Sequence, residues 1–353
     1  MKKNDRITLS HGSGGKLTHQ LIKEIFLKYL KNPALNKLQD SALLNLSSKR
    51  VAFTTDSFVI QPIFFPGGDI GHIAVAGTVN DIAVLGAEPY ALACGFILEE
   101  GLAVTDFERI LSSMQQTCVE ADVSIVTGDT KVVEKGSLGG CVINTSGIGR
   151  KTASLEENLE VVKQFRRGFK ARWILDSNLN AGDKIILSGT IGDHGLAVLS
   201  AQEGLTFGSD IKSDVKPLNR IIQRLLGEVG GIVAMKDPTR GGLADALNEF
   251  SEKSQVGVLV HEGRIPVRAD VQAACEMLGL DPLEIGNEGK VVIGVVNKKA
   301  DETLRLLRAT EEGKEAEIIG EATKGFKGVA MQTLVGGKRI ISRPVGDPVP
   351  RIC

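Results

Sequence analysis

The sequence has little of what would tie it to an oxidising compartment or to a thiolate metal site. Its cysteines number five, lie far apart and include no C-x-x-C pair. We therefore expect no disulfide framework, no thiolate zinc site and a reducing, cytoplasmic setting. Its apolar stretches are too short to span a bilayer, and residues 1–15 contain no apolar run that would suggest a signal peptide.

The sequence also lacks an excess of charge of either sign, because its formal net charge is −1. We therefore expect no extended positively charged surface that would bind nucleic acid or anionic lipid, so any anion-binding site must be local. Aromatic residues are only 4% of the chain, whereas glycines number 41, a composition that favours an α/β protein with many tight turns. A chain of 353 residues is too long for one compact core and predicts two domains.

A glycine-rich segment, His-Gly-Ser-Gly-Gly-Lys, occupies residues 11–16 ahead of an amphipathic helix. Gly12, Gly14 and Gly15 would let backbone N–H groups turn toward a phosphate, and Lys16 would add charge. The segment is not a Walker A loop, because Leu17 stands where that motif has Ser or Thr. A flexible linker is the alternative interpretation.

Three aspartates occur at or near the ends of predicted elements in the first 131 residues. Asp56 closes a predicted strand at 51–56, Asp129 follows one at 123–127, and Asp81 lies with Asn80 in an apolar helix predicted over 70–85. Mg²⁺ prefers carboxylate and phosphate oxygens, so the three aspartates predict a magnesium–nucleotide site. A buried, hydrogen-bonded core pair is the alternative for Asn80 and Asp81.

The aspartate at 129 begins the run Asp-Thr-Lys at residues 129–131. Lys131 would neutralise charge on a transferring phosphoryl group, which is much of what phosphoryl transfer requires.

A second α/β half begins near residue 182, after a charged stretch at 151–180 that we interpret as a linker or a surface helix. It contains glycine-rich turns at 189–195 and 237–242 and the turn Asn-Glu-Gly-Lys at 287–290. Thr239 and Arg240 in the second of these turns would either hold a phosphate or cap a helix.

The last residues read Gly-Asp-Pro-Val-Pro-Arg-Ile-Cys. Pro348 and Pro350 fix φ and remove two backbone donors, which favours an extended, mobile arm that carries the Cys353 thiol. A frayed end with an accidental cysteine is the alternative.

Together these motifs resemble a known family. The segments at 55–57, 77–83, 128–131, 189–195, 237–242 and 287–290 look like the aminoimidazole-ribotide-synthetase-like (PurM-like) superfamily of ATP-using enzymes. The segments at 11–15, 66–71 and above all 350–353 resemble its carbamoyl dehydratases of [NiFe]-hydrogenase maturation. The stretch at 151–180 is longer than the connector expected for that family.

The resemblance implies a two-domain α/β (α+β) fold with an N-terminal mixed sheet, a C-terminal α/β sandwich and a flexible tail. We set the predicted boundaries at 1–39 for the loop and first helix, 40–150 for the ATP-binding domain, 151–180 for the linker, 181–342 for the second domain and 343–353 for the tail. It also implies a homodimer through the N-terminal sheets.

The same resemblance implies chemistry for the tail. A carbamoyl group on Cys353 would be phosphorylated by ATP and dehydrated to a thiocyanate, with the carbamoyltransferase HypF as donor and the HypC–HypD iron scaffold complex as cyanide acceptor. Asp56, Asp81 and Asp129 would bind Mg–ATP, helped by Asn80 and Thr130. Lys131 and Glu288 would move protons and stabilise charge at the tail.

Two other classes of function stay open from the sequence. Another ATP enzyme of the superfamily, of the selenophosphate synthetase or thiamine-phosphate kinase type, would use the aspartates but leave the tail idle. A non-enzymatic thiol carrier would use the tail but leave the aspartates and Lys131 without a role.

Overall fold

The structure is a computed structural model that describes residues 6–11, 15–37, 44, 46, 50–205 and 210–344. Gly12, Gly14, Cys353 and the whole predicted tail from 345 onward lie outside these residues, and so does the side chain of Lys16. None of the helices in the described ranges is long and apolar enough to cross a membrane.

The N-terminal half is built on a mixed four-stranded sheet. Its strand order is β1-β6-β4-β5, with β4 and β5 parallel and the other neighbours antiparallel, while β2 and β3 form a separate two-stranded ribbon. Helices α3 and α4 cover one face of the sheet. The elements are β1 (Ala52–Phe58), β2 (Phe64–Phe65), β3 (Gly68–Asp69), β4 (Glu88–Glu99), β5 (Ile125–Val133), β6 (Cys141–Arg150), α1 (Gly15–Leu21), α2 (Leu27–Leu30), α3 (Ile70–Val84) and α4 (Val104–Ala121).

The C-terminal half is built on a mixed seven-stranded sheet in the order β13-β12-β9-β11-β7-β10-β8. The sequence predicts a hairpin in which two short strands flank Gly336 and Gly337, and the antiparallel pair β12–β13 confirms it. The elements are β7 (Lys184–Leu187), β8 (Ile232–Lys236), β9 (Gly257–His261), β10 (Val292–Val295), β11 (Glu317–Thr323), β12 (Gly328–Gln332), β13 (Lys338–Ile341), α5 (Ala153–Phe165), α6 (Asp193–Glu203), α7 (Asn219–Arg224), α8 (Gly242–Ser254), α9 (Ala269–Leu278) and α10 (Ala300–Arg308).

Helix α3 begins and ends where its sequence indicates. The Asp69 side chain accepts hydrogen bonds from the backbone N–H groups of Gly71 and His72, and Gly86 follows the helix with a positive φ of 81° that suits glycine. The helix is apolar nearly all round, since it lies between the sheet, α4 and the C-terminal half. Its polar residues are therefore placed at an internal boundary.

Two element ends differ from the sequence predictions. The run Thr-Asp-Phe-Glu at residues 105–108 predicts a capping box at a helix start. Helix α4 instead starts at Val104, after Ala103, which makes no side-chain cap, so this prediction is wrong. Strand β5 does not stop at residue 127, because its parallel pairing with β4 continues to Val133. Asp129 and Lys131 therefore lie within a strand rather than after one.

Residues 151–180 contain helix α5, whose inner face belongs to the C-terminal core. Leu155, Leu159 and Val162 are buried there. The fully buried Asn158 side chain donates to the carbonyl oxygen of Ile232 at 2.8 Å and accepts from the N–H of that residue at 2.8 Å. This helix is thus fixed to β8 by packing and by hydrogen bonds.

Candidate active site at the boundary of the two halves

Four carboxyl groups from both halves of the chain meet beside α3. Asp56 on β1 and Asp81 on α3 come from the N-terminal half, and they interact directly. Asp237, just after β8, and Glu288, in the turn before β10, come from the C-terminal half. We call these four residues the acidic cluster.

Burial and mutual repulsion decide the protonation of the acidic cluster. Burial and the Asp81 carboxylate raise the pKa of Asp56 to about 7, although Arg240 opposes the shift. Burial and the Asp81 charge likewise raise the pKa of Asp237 to about 7. Burial, followed by repulsion from Asp237, raises the pKa of Glu288 well above its usual range. Binding of a cation at the cluster should therefore release protons from it.

A buried asparagine connects the two halves at this point. The Asn80 amide nitrogen donates to the carbonyl oxygens of Lys216 at 3.1 Å and Glu288 at 3.3 Å. Its side-chain oxygen accepts from the N–H of Leu218 at 2.8 Å. Asn80 thus positions the backbone of Glu288 over α3. Its predicted contact with a nucleotide stays a prediction, since both amide hydrogens are already engaged.

A buried ion pair supports Glu288 from the other side. Lys290 Nζ lies 3.0 Å from Asp214 Oδ2, and Asp214 Oδ1 accepts from the N–H of Glu288 at 3.1 Å. The pKa of Asp214 is lowered despite its burial, first by Lys290 and then by His194. Asp214 therefore stays ionised and holds the turn at 287–290 in place.

The residues predicted on β5 are not part of the acidic cluster within one chain. The pairing register runs from Asp56 through Thr145 and Cys94 to Gly128, so β1 and β5 are opposite edges of the sheet, about 14 Å apart. Asp129 and Lys131 are one and three positions beyond Gly128 and lie on the other face. The expected meeting of Asp129 with Asp56 and Asp81, and of Lys131 with Glu288, does not occur in a single chain.

A single chain accordingly brings together two, rather than three, of the predicted magnesium ligands. No group of three or more His, Cys, Asp or Glu side chains in the described ranges is placed to hold a metal ion. Asp56 and Asp81 nevertheless form a close carboxylate pair, and Mg²⁺ commonly takes only one or two carboxylates besides phosphate oxygens and water. These two residues fit the ion when nucleotide phosphates complete its shell.

Sequence reasoning missed part of this site. In the segment at 237–242 the sequence pattern indicates Thr239 and Arg240 and not Asp237. No pattern indicates Asp214 or Lys290 as a site residue. The sequence does contain a signal for these residues. The turn at 237–242 follows a buried strand, and the turn at 287–290 precedes one. Their meeting with Asp56 and Asp81 depends on how the two halves pack, which no local pattern reports.

Comparison with known proteins agrees with this architecture. Residues 38–151 match the model of the AIR synthase related protein N-terminal domain, and residues 180–332 match that of the corresponding C-terminal domain. The carbamoyl dehydratase HypE of Azotobacter vinelandii is 45% identical over 352 residues, which cover 99% of this chain and 98% of that protein.

Solved structures give the same result. The crystal structure of the hydrogenase maturation protein HypE in complex with ATP is 43% identical, with a TM-score of 0.90 and coverage of 98% of this chain and 99% of that one. HypE in a HypE–HypF complex is 44% identical, with a TM-score of 0.76 and coverage of 92% and 99%. The chain therefore belongs to the AIR synthase related family and, within it, to the HypE proteins of hydrogenase maturation.

Proposed function

We propose that this protein uses ATP to dehydrate a carbamoyl group carried on the Cys353 sulfur to a thiocyanate, and so supplies the cyanide ligand for the iron of [NiFe]-hydrogenase. The observation that carries the proposal is the likeness over almost the entire chain to a HypE solved with ATP and to proteins named carbamoyl dehydratases. That likeness makes the selenophosphate synthetase and thiamine-phosphate kinase alternatives less favoured.

The reaction balances as a dehydration driven by ATP. The amide oxygen of the S-carbamoyl group attacks the γ-phosphorus and ADP leaves. The C–O bond then breaks, so that the oxygen departs in inorganic phosphate. Both N–H protons are lost and a C≡N bond remains on sulfur. Amide oxygen is a poor leaving group, and phosphorylation makes it a good one.

The acidic cluster supports the nucleotide part of this proposal. Asp56 and Asp81 would hold Mg²⁺, which would neutralise phosphate charge during transfer. A cation at these aspartates removes the repulsion that contributes to the raised pKa of Glu288. Glu288 then gives up its own proton more readily, so that its carboxylate is available to act as a general base when the cation is bound. Arg240, whose charge reaches Asp56, is the nearest candidate for a phosphate contact.

Asp129, Thr130 and Lys131 need a second copy of the chain to reach an acidic cluster. The uncovered face of the N-terminal sheet carries exposed apolar residues, including Phe53 at 67% and Ile97 at 40% exposure. We propose that this face forms the homodimer, because a partly apolar sheet face of this kind favours association. Asp129 and Lys131 of each chain would then lie at the dimer interface.

The proposed setting is the cytoplasm. HypF is the proposed carbamoyl donor, in keeping with the solved HypE–HypF complex of a relative. The HypC–HypD complex is the proposed cyanide acceptor.

Mass spectrometry of the C-terminal peptide tests the proposal. After incubation with a carbamoyl-transferring partner, the peptide should gain a carbamoyl group, and it should lose one water only when ATP is added. Cys353→Ala should show neither change. Glu288→Gln should accumulate the carbamoyl form, because the group transfer itself does not need this base.

The same measurement separates an enzyme from a thiol carrier. A carrier would keep the carbamoyl group on Cys353 whether or not ATP is present. That result, obtained with protein shown to be folded and to bind nucleotide, would contradict the proposed dehydration.

A further inference from the structure

A polar cavity lies on the N-terminal half, away from the acidic cluster. Its volume is about 540 Å³, and it is bounded by α4, by the start of α3, by the loop at 65–68 and by Tyr29 on α2. Helix α4 turns a polar stripe toward it, with residues spaced three or four apart as one helix face requires. The stripe consists of Thr105, Glu108, Arg109, Ser112, Ser113 and Gln116.

The two acids of this cavity are already occupied. Asp69 Oδ1 accepts from the N–H groups of Gly71 at 2.8 Å and His72 at 3.1 Å, and Asp69 Oδ2 accepts from the hydroxyl of Ser113. Glu108 is paired with Lys28 at 2.6 Å and accepts from the Tyr29 hydroxyl at 3.3 Å. Both carboxylates thus already have donors of the protein as partners.

Two donors of the cavity, those of Arg109 and Ser112, remain available. The Arg109 guanidinium lies 3.9 Å from the centre of the Phe64 ring, and it makes no ion pair or hydrogen bond with any residue that the structure describes. An arginine stacked in this way is held in position while its N–H groups remain available. Ser112 accepts from Gln116 at 3.4 Å, which leaves its own hydroxyl proton to donate.

The imidazole of His72 adds an unsatisfied group. Its Nδ1 atom is buried and has no hydrogen-bond partner among the described residues. It lies 3.3 Å from Asp69 Oδ1, but that oxygen already accepts two backbone N–H groups. A buried polar atom without a partner in a native structure calls for a ligand, a water or an ion.

We propose that this cavity is an oxyanion-binding site in which Arg109 grips a phosphate or carboxylate group, with Ser112 and His72 beside it. The excess of free donors over free acceptors selects an anion, and the planar guanidinium matches the two oxygens that either group presents. The site is separate from the acidic cluster, so it does not depend on the proposed dehydration. A free phosphate and the carboxylate of a bound polypeptide share this chemistry.

Nuclear magnetic resonance of the histidine side chains tests the proposal at the cavity itself. The chain has only five histidines, so the imidazole signals of His72 are assigned by their loss in His72→Gln. Inorganic phosphate and acetate are titrated separately into the full-length protein. A saturable shift of the His72 signals with phosphate alone indicates a phosphate ligand, and one with acetate as well indicates a carboxylate ligand. Either result supports the site.

Two arginine variants supply the control. Arg109→Gln should abolish the saturable shift, whereas Arg305→Gln, which changes an exposed arginine in the last turn of α10, should leave it unchanged. The proposal is overturned if neither anion gives a saturable shift in the parent protein. It is equally overturned if Arg109→Gln responds like the parent, since the anion would then be held elsewhere.

Discussion

At the scale of single residues, the acidic cluster is held together at an energetic cost. Asp56, Asp237 and Glu288 lose hydration and feel neighbouring carboxylates, so in the folded protein they keep protons that the unfolded chain would release. Such shifted groups concentrate at functional sites. Their protonation should therefore report on both stability and nucleotide binding.

The pH dependence of stability should show this cost. Burial and the Asp81 charge raise the pKa of Asp237 in the folded protein from 3.8 to about 7. The folded state thus binds a proton that the unfolded state has lost between these values, so the stability of the nucleotide-free protein should fall as pH rises from about 4 to 7. Asp237→Asn cannot ionise. Its melting temperature should be several degrees above the parental one at pH 8 and close to it only below about pH 4, where Asp237 of the unfolded parent also keeps its proton.

Thermal unfolding of both proteins across this pH range checks the expectation. Parallel curves, with one constant difference between parent and Asp237→Asn, would show that Asp237 does not titrate in this window.

At the scale of elements, helix α3 packs against both halves, and its Asn80 side chain adds hydrogen bonds to the C-terminal half. Asn80→Ala removes three hydrogen bonds. It leaves the Lys216 carbonyl and the Leu218 N–H without partners, and the Glu288 carbonyl keeps only a long contact from the Lys216 N–H at 3.4 Å. The free energy of unfolding should fall by roughly 2–4 kcal/mol, because each unsatisfied buried group costs about 1–3 kcal/mol. The exposed Asn180 offers a matched control, and Asn180→Ala should change stability by less than about 0.5 kcal/mol. Equal urea midpoints for the two variants would contradict the role of Asn80.

The sequence predicts elements well where their signals are local. The bounds of helix α3 can be predicted from Asp69 and Gly86, because a capping side chain and a glycine with positive φ act within a few residues. Strand β5 was ended too early, because its continuation through Asp129 and Lys131 depends on parallel pairing with β4, over 30 residues away.

The candidate site shows the same difference between residues with a local signal and residues placed by long-range packing. Asp56 and Asp81 were recognised from their own segments, whereas Asp237 joins them only because the two sheets pack on either side of α3. Asp129 was grouped with them by chain order, yet the register places it on the opposite edge and face of the sheet.

At the scale of the whole molecule, the separation of Lys131 from the acidic cluster predicts shared sites in a homodimer. Asp81→Asn and Lys131→Ala should each be inactive alone. If each site combines a cluster from one chain with Lys131 from the other, a mixed dimer regains one intact site. Subunits unfolded and refolded together in equal amounts should then recover about a quarter of parental turnover. Recovery should be absent if each chain holds a complete site, and that outcome would contradict the shared arrangement.

The most direct measurement follows the oxygen of the carbamoyl group. The protein is carbamoylated on Cys353 with an oxygen-18 label in the carbonyl position and is then given unlabelled ATP in ordinary water. One labelled oxygen should appear in the inorganic phosphate for each water lost from the C-terminal peptide, because ATP phosphorylates that oxygen before it leaves. Label released into water, with unlabelled phosphate, would contradict the central claim that ATP activates the amide oxygen.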